Sequence, residues 1–488
     1  MEGQKRHIVI VGGGIIGCTT AYFLTRHPKF DPELHSIVLL EASSIAAGAS
    51  GKAGGLLALW AYPECLVPLS YRLHAELARE HDGARRWGYR RVGCGSVDAV
   101  VTIADLKERA RALQAQEPTK REHAQQPPSL LQPVMDGHDL AANGAVSGDP
   151  LPIQSTIADQ QSAAPMSYNK ASEDQDWEKL PKQDEQAASL LRDSPLPTDL
   201  GWIEGRLIKR YTEMGVPDAT ETAQVHPFQF TTAIAQLARE GGVDIRLGAR
   251  VTKINQSKTE VHSVEYEDRT PGSAAGGQTT SRSRIIDGVT DVVVAAGPWT
   301  GRLLPRAKVE GLRAHSVVYD ADVSPYAVFT NISLPPEFVP EHRARQGQRR
   351  KHRGNVDPEI YARPGREVYA CGEPDSTVPL PETADGVQVD EAQCDDLLAY
   401  IGTVSPALAA APVKAKQACY LPRHMRFGEE RAPLVGRTQV PGLWVASGHT
   451  CWGIQNGPAT GCLVAEMLLD GEARSADIEK LDPGKFRV

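Results

Sequence analysis

Short apolar runs, bounded by glycine or by polar residues, begin the chain. The run Ile8–Val11 is too short for a helix and is rich in β-branched residues, which predicts a strand buried on both faces. A second such run is Ser36–Leu40, and residues from about Ile15 to Arg26 are predicted to form a helix that ends before Pro28. This order predicts a strand, turn, helix and strand unit.

Similar patterns recur later in the chain. Residues 291–296 form an apolar run that ends in small residues, which predicts a buried parallel strand returning to the first sheet. An amphipathic helix is predicted after Val225–Pro227, and a strand is predicted over residues 442–449. A last helix is expected from about Ala459 to Leu469, with Gly461 allowing a close approach.

Other patterns predict a second domain. A helical pattern covers Leu66–Arg86, a strand is expected over Gly95–Val101, and residues 359–364 and 367–372 are predicted to form a hairpin. Residues 114–197 are rich in Gln, Pro, Ser, Asp and Glu, with few aromatic residues. Such a segment buries too little apolar surface to offset its ordering entropy, so we expect a disordered insertion.

The first turn carries the G-x-G-x-x-G pattern that is typical of a dinucleotide-binding site. In that pattern Gly12 permits the tight turn, Gly14 lets the backbone approach a pyrophosphate, and Gly17 lets the helix pack on the strand. The amides at the helix start would face the phosphates. Glu41 ends the second strand, where its carboxylate can accept hydrogen bonds from both ribose hydroxyls. The alternative is a glycine-rich turn without a ligand.

Two further segments of small residues suggest contact with a ligand. The loop Gly48–Gly55 is predicted to wrap the pyrophosphate and the flavin side of a cofactor, although a flexible linker is the alternative. Lys52 is its one charge, placed either in solvent or near a flavin's reactive face, where it would help oxygen accept electrons. The turn over residues 448–458 precedes the last helix, whose start suits the N1 and O2 edge of a reduced flavin.

Length, charge and cysteine spacing limit the classes of protein to which the chain can belong. The 488 residues suggest two domains, and the net charge of -8 gives no reason to expect nucleic acid. No run of 18 apolar residues predicts a membrane span. The eight cysteines contain no C-x-x-C pair, so we expect neither a metal site nor a disulfide framework. The first residues lack the apolar region of a signal peptide, and the last residues are not of the Ser-Lys-Leu type, which favours a cytoplasmic location.

A basic cluster lies between His342 and Arg353. It contains Arg343, Arg345, Arg349, Arg350, Lys351 and Arg353. It either contacts a protein or an anionic surface or forms a solvated loop.

Five separated segments of the chain agree with one pattern: the Gly12–Gly17 turn with Glu41, the Gly48–Gly55 loop, Val225–Pro227, residues 295–299 and the turn over residues 448–461. Together they resemble one superfamily. It is the FAD-dependent oxidoreductases that include D-amino-acid oxidase, glycine oxidase and sarcosine oxidase. The C-terminal third, with residues 417–422 and 451–456, looks most like a fungal branch of oxidoreductases whose substrates are not established.

The resemblance implies an α/β fold with a discontinuous, Rossmann-like FAD-binding domain and an α+β substrate domain whose mixed sheet covers the flavin. The FAD-binding domain would comprise residues 1–66, 222–304 and 417–488, and the substrate domain residues 67–113, 198–221 and 305–416, with 114–197 as the insertion. The implied cofactor-binding residues are Gly12, Gly14, Ile15, Ile16, Gly17, Glu41, Ala42, Ser50, Gly51, Gly54, Gly55, Val251, Ala296, Gly297, Trp299, Cys419, Gly448, Trp452, Gly453 and Ile454.

The reaction that this resemblance implies is oxidation of a small amine or amino acid to an imine, by hydride transfer to the flavin N5, with oxygen as the electron acceptor. No second G-x-G-x-x-G pattern offers a site for NAD(P)H, so the electrons should come directly from the organic substrate. Two alternatives keep the flavin. One is a hydroxy-acid or alcohol dehydrogenase, and the other is a weakly catalytic flavoprotein that acts as an interaction module.

Four residues are candidates for catalysis. Arg363 lies near the position of the carboxylate-binding arginine of glycine oxidases, with Tyr361 as its companion. Lys52 is the charge near the flavin, and His449 either handles a proton or has a structural hydrogen bond. Cys419 matches the position at which sarcosine-oxidase-like members attach the flavin covalently, although a buried structural thiol is the alternative.

Overall fold

The computed structural model describes residues 5–111, 191–214, 221–270, 282–348 and 354–488. The elements discussed below belong to one compact unit formed by Met1–Leu106 and Asp176–Val488. A second unit, Lys107–Gln175, lies almost wholly outside the described residues.

The strands are β1 Arg6–Val11, β2 His35–Glu41, β3 Leu56–Ala58, β4 Arg90–Arg91, β5 Gly93–Val100, β6 Leu191–Ser194, β7 Ile208–Met214, β8 Thr222–Gln224, β9 Asp244–Leu247, β10 Ala249–Gln256, β11 Val261–Asp268, β12 Arg282–Asp287, β13 Asp291–Val294, β14 Val309–Asp320, β15 Tyr326–Ser333, β16 Asn355–Val356, β17 Glu359–Arg363, β18 Glu367–Cys371, β19 Val413–Arg426, β20 Glu429–Arg431, β21 Leu434–Arg437 and β22 Leu443–Ser447. The helices are α1 Ile15–Arg26, α2 Val67–Glu80, α3 Gly83–Trp87, α4 Pro227–Glu240, α5 Thr300–Leu303, α6 Glu341–Arg345, α7 Glu391–Val404, α8 Pro406–Ala410 and α9 Gly453–Leu469.

The first sheet has six strands in the order β21-β22-β13-β1-β2-β9. All of its pairings are parallel except that of β21 with β22. Its central strand β1 is buried on both faces. Ile8 and Ile10 pack into a core shared with α1, α4 and α9, whereas Val9 and Val11 pack toward the three-stranded sheet β10-β11-β12. Successive side chains of a strand point to opposite faces, which is why an unbroken apolar run suits this position.

The second sheet is mixed and has ten strands, in the order β20-β19-β14-β18-β17-β15-β5-β7-β6, with β16 paired to β15. The β5–β15 pair is parallel, and its other pairings are antiparallel. Strands β17 and β18 form the predicted hairpin, with Tyr361 opposite Tyr369. A further three-stranded sheet has the order β3-β8-β4.

The predicted fold class is therefore confirmed: the chain is α/β, with a largely parallel sheet assembled from separate segments and a second, mixed sheet. Two predicted details are wrong. Leu66–Arg86 forms two helices rather than one, because Asp82 between them has a left-handed backbone (φ 53°). Residues 191–194, at the end of the predicted insertion, form β6 and pair with β7. The rest of that insertion, residues 112–190, lies outside the described residues.

The predicted division into domains stays a prediction, although two of its boundaries fall inside packed elements. Strand β19 runs across the predicted boundary at 416/417, and its whole length pairs with the ten-stranded sheet. Helix α2 begins the predicted substrate domain, yet its Tyr71 and Leu77 belong to the core that contains α1.

Candidate active site

A cavity of about 590 Å³ opens at the carboxyl ends of the parallel strands. The residues that follow β1, β2, β13 and β22 line one side of it, which is where ligands bind in open α/β sheets. The ten-stranded sheet lines the other side mostly with alternate residues of four strands, so that one face of the sheet forms the wall, and Pro422 of β19 and Glu430 of β20 line it as well. The alternate residues are Leu312 and Ala314 of β14, Glu359 and Tyr361 of β17, Tyr369 and Cys371 of β18, and Cys419 and Leu421 of β19.

The glycines of the first turn are required by close backbone contacts. Gly12 has a φ of 115°, and a Cβ there would lie 2.4 Å from the carbonyl oxygen of Ala295. A Cβ on Gly17 would lie 1.9 Å from the carbonyl oxygen of Gly12. At Gly14 the nearest atom to such a Cβ is the hydroxyl of Ser50, at 3.1 Å, and Gly14 itself lines the cavity. The three glycines thus have the separate structural settings that the pattern predicts.

Glu41 lies at this end of the cavity with its carboxylate held by main-chain amides. Its Oε2 accepts a hydrogen bond from the Gly13 amide at 2.7 Å, and its Oε1 accepts one from the Ser43 amide at 2.8 Å. Burial raises the pKa of Glu41, and the two amides oppose that shift. Each carboxylate oxygen retains a second lone pair for a hydroxyl donor. Ser50 accepts a hydrogen bond from the Ile15 amide at 2.9 Å, at the first residue of α1.

The start of α9 meets the start of α1. A Cβ on Gly457 would lie 2.7 Å from the Ile15 side chain, and Gly453, Ile454 and Ile15 line the same cavity. A Cβ on Gly461 would lie 2.5 Å from the backbone of Thr19, so the predicted close approach at Gly461 is confirmed. Two helix N-termini from opposite ends of the sequence therefore face one cavity.

The predicted start of this last helix is wrong. The helix begins at Gly453 rather than near Ala459, and Pro458 lies within it. Proline has no N–H, so the carbonyl of Ile454 loses its helical donor. His74 of α2 supplies one from Nε2, 2.9 Å from that oxygen, and burial lowers the pKa of His74 to about 4. The Ala459 amide donates to the Ser70 hydroxyl at 3.1 Å. Helix α2 thus stabilises the early start.

Three glycines of the loop Gly48–Gly55 lie close to other atoms of the protein itself. A Cβ on Gly54 would lie 2.7 Å from the Tyr361 ring, one on Gly55 2.0 Å from the Val225 carbonyl oxygen, and one on Gly51 2.2 Å from that of Ala46. Gly51 and Gly55 do not line the cavity, and their predicted contact with a cofactor stays a prediction.

Lys52 and Cys419 lie together on the cavity wall. The Lys52 ammonium donates to the Ala418 carbonyl oxygen at 3.0 Å, and burial lowers the pKa of Lys52. Burial also raises the pKa of the Cys419 thiol to about 11, although the nearby Lys52 opposes that shift. A thiol with a raised pKa is a weak nucleophile at neutral pH, which fits a structural thiol better than an attachment point.

Arg363 does not line the cavity, contrary to its predicted role as a carboxylate-binding residue. It shares a strand face with Glu359 and Tyr361, but it lies at the end of β17, where the Ala53 backbone covers it. Its Nη2 donates to the Ala53 carbonyl oxygen, its Nη1 to Glu367 at 3.3 Å, and its guanidinium carbon lies 4.5 Å from the centre of the Tyr369 ring. These contacts give both terminal nitrogens of this buried arginine a partner, whereas its Nε has no hydrogen-bond partner among the described residues.

Tyr361 and His449 line the cavity, with different surroundings. The Tyr361 hydroxyl donates to Glu359, and burial, followed by the nearby Glu359, raises the pKa of Tyr361 well above its ordinary value. His449 Nε2 lies 3.0 Å from the Thr460 hydroxyl, and burial lowers the pKa of His449 to about 3. His449 is therefore neutral at physiological pH, which favours its structural role over proton transfer. Trp452 packs against Trp60 and Tyr62, outside the cavity.

The structure thus gathers most of the predicted residues around one cavity. Those that line it are Gly12, Gly14, Ile15, Ile16, Glu41, Ala42, Ser50, Lys52, Gly54, Val251, Ala296, Gly297, Trp299, Tyr361, Cys419, His449, Gly453 and Ile454. Those outside it are Gly17, Gly51, Gly55, Arg363, Gly448 and Trp452. Their individual roles stay predictions. Sequence reasoning missed Glu359, Tyr369, Cys371, Glu430 and Cys451. The alternation that places Tyr361 on the wall also places Glu359 there.

Two negative findings apply to the described part of the chain. It contains no group of three or more His, Cys, Asp or Glu residues that could hold a metal ion. None of its helices is long and apolar enough to cross a membrane.

The basic cluster is only partly described, since residues 349–353 lie outside the described ranges. Within α6, the Arg343 guanidinium forms two contacts of 2.5 Å with Asp396, and Arg345 pairs with Glu341. These two arginines have partners within the protein, and a contact with another molecule stays a prediction.

A largely parallel sheet with two helix starts at one cavity is the arrangement in which open α/β folds bind nucleotide cofactors. The family model described as FAD dependent oxidoreductase (DAO) matches residues 7–142 and 165–467. The chain therefore belongs to this family of FAD-dependent oxidoreductases, as the sequence resemblance predicted.

Its similarity to fungal oxidoreductases extends over nearly the whole chain. It is 38% identical to Putative oxidoreductase TDA3 of Saccharomyces cerevisiae, over 99% of this chain and 95% of that protein. It is 30% identical to Putative oxidoreductase C1F5.03c of Schizosaccharomyces pombe, over 98% of each. Glycine oxidase from Bacillus cereus superposes with a TM-score of 0.58 and 17% identity, covering 98% of this chain and 99% of that chain. This last likeness shows the fold alone.

Proposed function

We propose that the protein oxidises a small amine or amino acid to the imine, and that oxygen then reoxidises the flavin. The observation that carries this proposal is the single cavity onto which both helix starts and one face of the mixed sheet open. One side of that cavity suits a dinucleotide, and the other side offers aromatic and polar side chains to a small molecule.

The residues present fit FAD. Gly14 leaves the first turn open toward the cavity, as close approach of a pyrophosphate requires, and the first amides of α1 suit its charge. Glu41 would hold the adenosine ribose, and Val251 would meet the adenine. Gly453 and Ile454 would lie toward the pyrimidine edge of the flavin, where a helix start favours negative charge. When bound, FAD supplies the hydride acceptor and transfers the electrons onward.

The chain's own contribution on the substrate side is a partly apolar wall with a few polar groups. Tyr361 and Tyr369 give that wall aromatic surface that excludes water, and the Tyr361 hydroxyl is fixed by Glu359. Lys52 places a positive charge beside Cys419. A positive charge there disfavours the ammonium form of a nearby amine, and only the neutral amine can lose a hydride. The same charge would stabilise reduced oxygen.

An anaerobic screen tests this proposal. Bound flavin should be bleached by an amine or amino acid but not by the matching hydroxy acid, and readmitted oxygen should restore the colour and yield hydrogen peroxide. Free FAD with the same compounds is the control. Bleaching by hydroxy acids alone would establish the dehydrogenase alternative, and recovery only with a quinone would remove oxygen as the acceptor. No bleaching by any compound would favour the interaction module.

We also propose that the chain is divided into an FAD-binding domain and a substrate domain, and that the protein is cytoplasmic. Fractionation of the source cells tests the proposed location.

A further inference from the structure

A loop of the mixed sheet runs from the substrate side of the cavity to its nucleotide side. Residues 372–390 connect β18 to α7, and residues 372–374 line the cavity where the loop leaves the wall. The tip of this loop, residues 382–387, lines the cavity again through its first three residues. Within the tip, Thr383 is buried and Asp385 is exposed. The tip therefore has one side toward the cavity and one side toward solvent.

Arg313 of β14 holds the base of this loop closed. Its Nε and Nη2 donate to the two carboxylate oxygens of Asp375 at 3.0 and 3.1 Å, and its Nη1 donates to the Gln388 carbonyl oxygen at 3.2 Å. One side chain, which is 3% exposed, thus joins the two ends of residues 375–388. A surface loop whose ends lie close together is an Ω-loop, and such loops are frequently functional. Because breaking a buried ion pair is costly, this base stays closed.

The tip contacts the turn that follows β2. The Asp385 carboxylate accepts hydrogen bonds from Arg269 Nη2 at 3.0 Å and from the Ser43 hydroxyl at 2.9 Å. Arg269 Nη1 also donates to the Ala42 carbonyl oxygen at 2.9 Å. Ala42 and Ser43 directly follow Glu41, which would hold the adenosine ribose. The tip therefore covers the end of the cavity that suits the adenosine.

The ion pairs of the tip are more exposed than that of the base. The side chains of Glu382 and Asp385 are 71% and 54% exposed, against 4% for Arg313. Exposed ion pairs are weak and are screened by salt. Just before the tip, Trp299 Nε1 donates to the Pro381 carbonyl oxygen at 2.7 Å and fixes the chain there. Local opening breaks the weakest contacts first, so the tip can open between Pro381 and the closed base.

We infer that the tip is a gate over the adenosine end of the FAD site, which must open for FAD to enter or to leave. The contacts that close it join groups of the chain itself, so they act whether or not the cofactor lies beneath the tip. Opening breaks these contacts and leaves the base at Arg313 intact. The gate retains FAD without requiring a covalent bond. This inference rests on the FAD site and not on which substrate the flavin oxidises.

The rates of FAD release and binding test the gate. Exchange of bound FAD for isotopically labelled FAD measures release from the holoprotein, and quenching of tryptophan fluorescence measures rebinding after FAD has been removed. Asp385→Ala removes the contacts with Ser43 and Arg269. Both rate constants should rise about fivefold, with Kd little changed, because the closed gate is weakened equally with and without FAD. Glu382→Gln removes the charge that pairs with Arg250 and should act in the same direction.

Asp244→Ala is the matched control. Asp244 of β9 has a side chain that is 52% exposed, pairs with Arg246 and does not line the cavity, so both rate constants should keep their wild-type values. Salt should speed release from the wild type more than from Asp385→Ala. The thermal midpoint of each variant reports folding. Unchanged rate constants in both tip variants, or a rise in the release rate alone, would overturn the gate and leave the proposed function standing. A protein that retains no FAD would overturn both.

Discussion

The two sides of the cavity are built from different parts of the polypeptide. The nucleotide side is mostly main chain: the Gly12–Gly17 turn, the first residues of α1 and α9, and the amides that hold Glu41. The substrate side consists mainly of side chains from five strands of the mixed sheet. Main-chain geometry tolerates few residue types, whereas the wall can change its chemistry while the sheet stays intact. The cofactor site should therefore be sensitive to small changes in size, and the substrate site to changes in charge.

The largest effect is expected on the nucleotide side. Gly17→Ala would place a Cβ 1.9 Å from the Gly12 carbonyl oxygen, so the helix must move off the strand. We expect a loss of about 4 kcal/mol of unfolding free energy and loss of bound FAD. Chemical denaturation and the flavin absorbance measure both. Gly201→Ala is the control, because nothing lies within 4 Å of its added Cβ. A yellow Gly17→Ala protein of wild-type stability would refute this account of the turn.

Substitution of Arg363 distinguishes a structural role of this residue from a role in binding the substrate. Arg363→Lys cannot keep the contacts with both Ala53 and Glu367, and we expect about 3 kcal/mol less unfolding free energy. The kcat/KM per bound flavin should change less than about threefold, which is below the cost of losing a direct charged contact. The exposed Arg366→Lys, from the same hairpin, is the control. A large rise in KM at unchanged stability would restore the role predicted from the sequence.

The same network predicts how stability depends on pH. The His226 hydrogen bond, followed by the Lys414 hydrogen bond and the charges of His226 and Arg363, lowers the pKa of Glu367 from its ordinary 4.5 to about 2, although burial opposes that shift. A lowered carboxyl pKa contributes stability above the unfolded value, and that contribution is lost as pH falls through the folded value. We therefore expect roughly 2 kcal/mol to disappear between these two values, after allowance for solvent screening. The unfolding free energy of Glu367→Gln, measured by denaturation across this pH range, should not show this loss of about 2 kcal/mol. If the variant and the wild type had the same pH dependence, Glu367 would not be its source.

Substitution of Lys52 tests the reaction of the reduced flavin with oxygen. Lys52→Met removes the charge beside Cys419, and we expect reoxidation by oxygen to slow about tenfold, or about 1.4 kcal/mol in activation free energy. Anaerobic reduction, measured above the pKa of the best amine so that its neutral form predominates, should change much less, and Lys52→Arg should retain most of the oxygen rate. Stopped-flow absorbance measures each step. Equal slowing of both steps would show that Lys52 acts on the cofactor site as a whole.

The smallest effect is expected at His449. Because burial lowers its pKa to about 3, His449 carries no charge at neutral pH and should add no step to the pH profile of flavin reduction. His449→Asn should keep the shape of the wild-type profile. Loss of a limb of that profile in the variant would identify His449 as a proton-transfer group.

The sequence predicted the nucleotide side well because its requirements are local. A glycine with φ of 115°, an apolar run buried on both faces and an acid at a strand end each follow from a few adjacent residues. The wall depends instead on how β14 and β19 pair with each other and with the β17–β18 hairpin, and these three segments are distant in sequence. Arg363 lies near the position that the resemblance implies, yet its place at the end of β17 removes it from the cavity. The early start of α9 escaped prediction because Pro458 normally ends such a segment, and the compensating His74 lies on another helix.

The most direct test of the central claim is a crystal structure of the protein with FAD. The account predicts density for the pyrophosphate at the start of α1, with the ribose at Glu41, and for the flavin between the start of α9 and the wall formed by Tyr361 and Cys419. Density for FAD anywhere else, or a flavin that faces away from that wall, would contradict it.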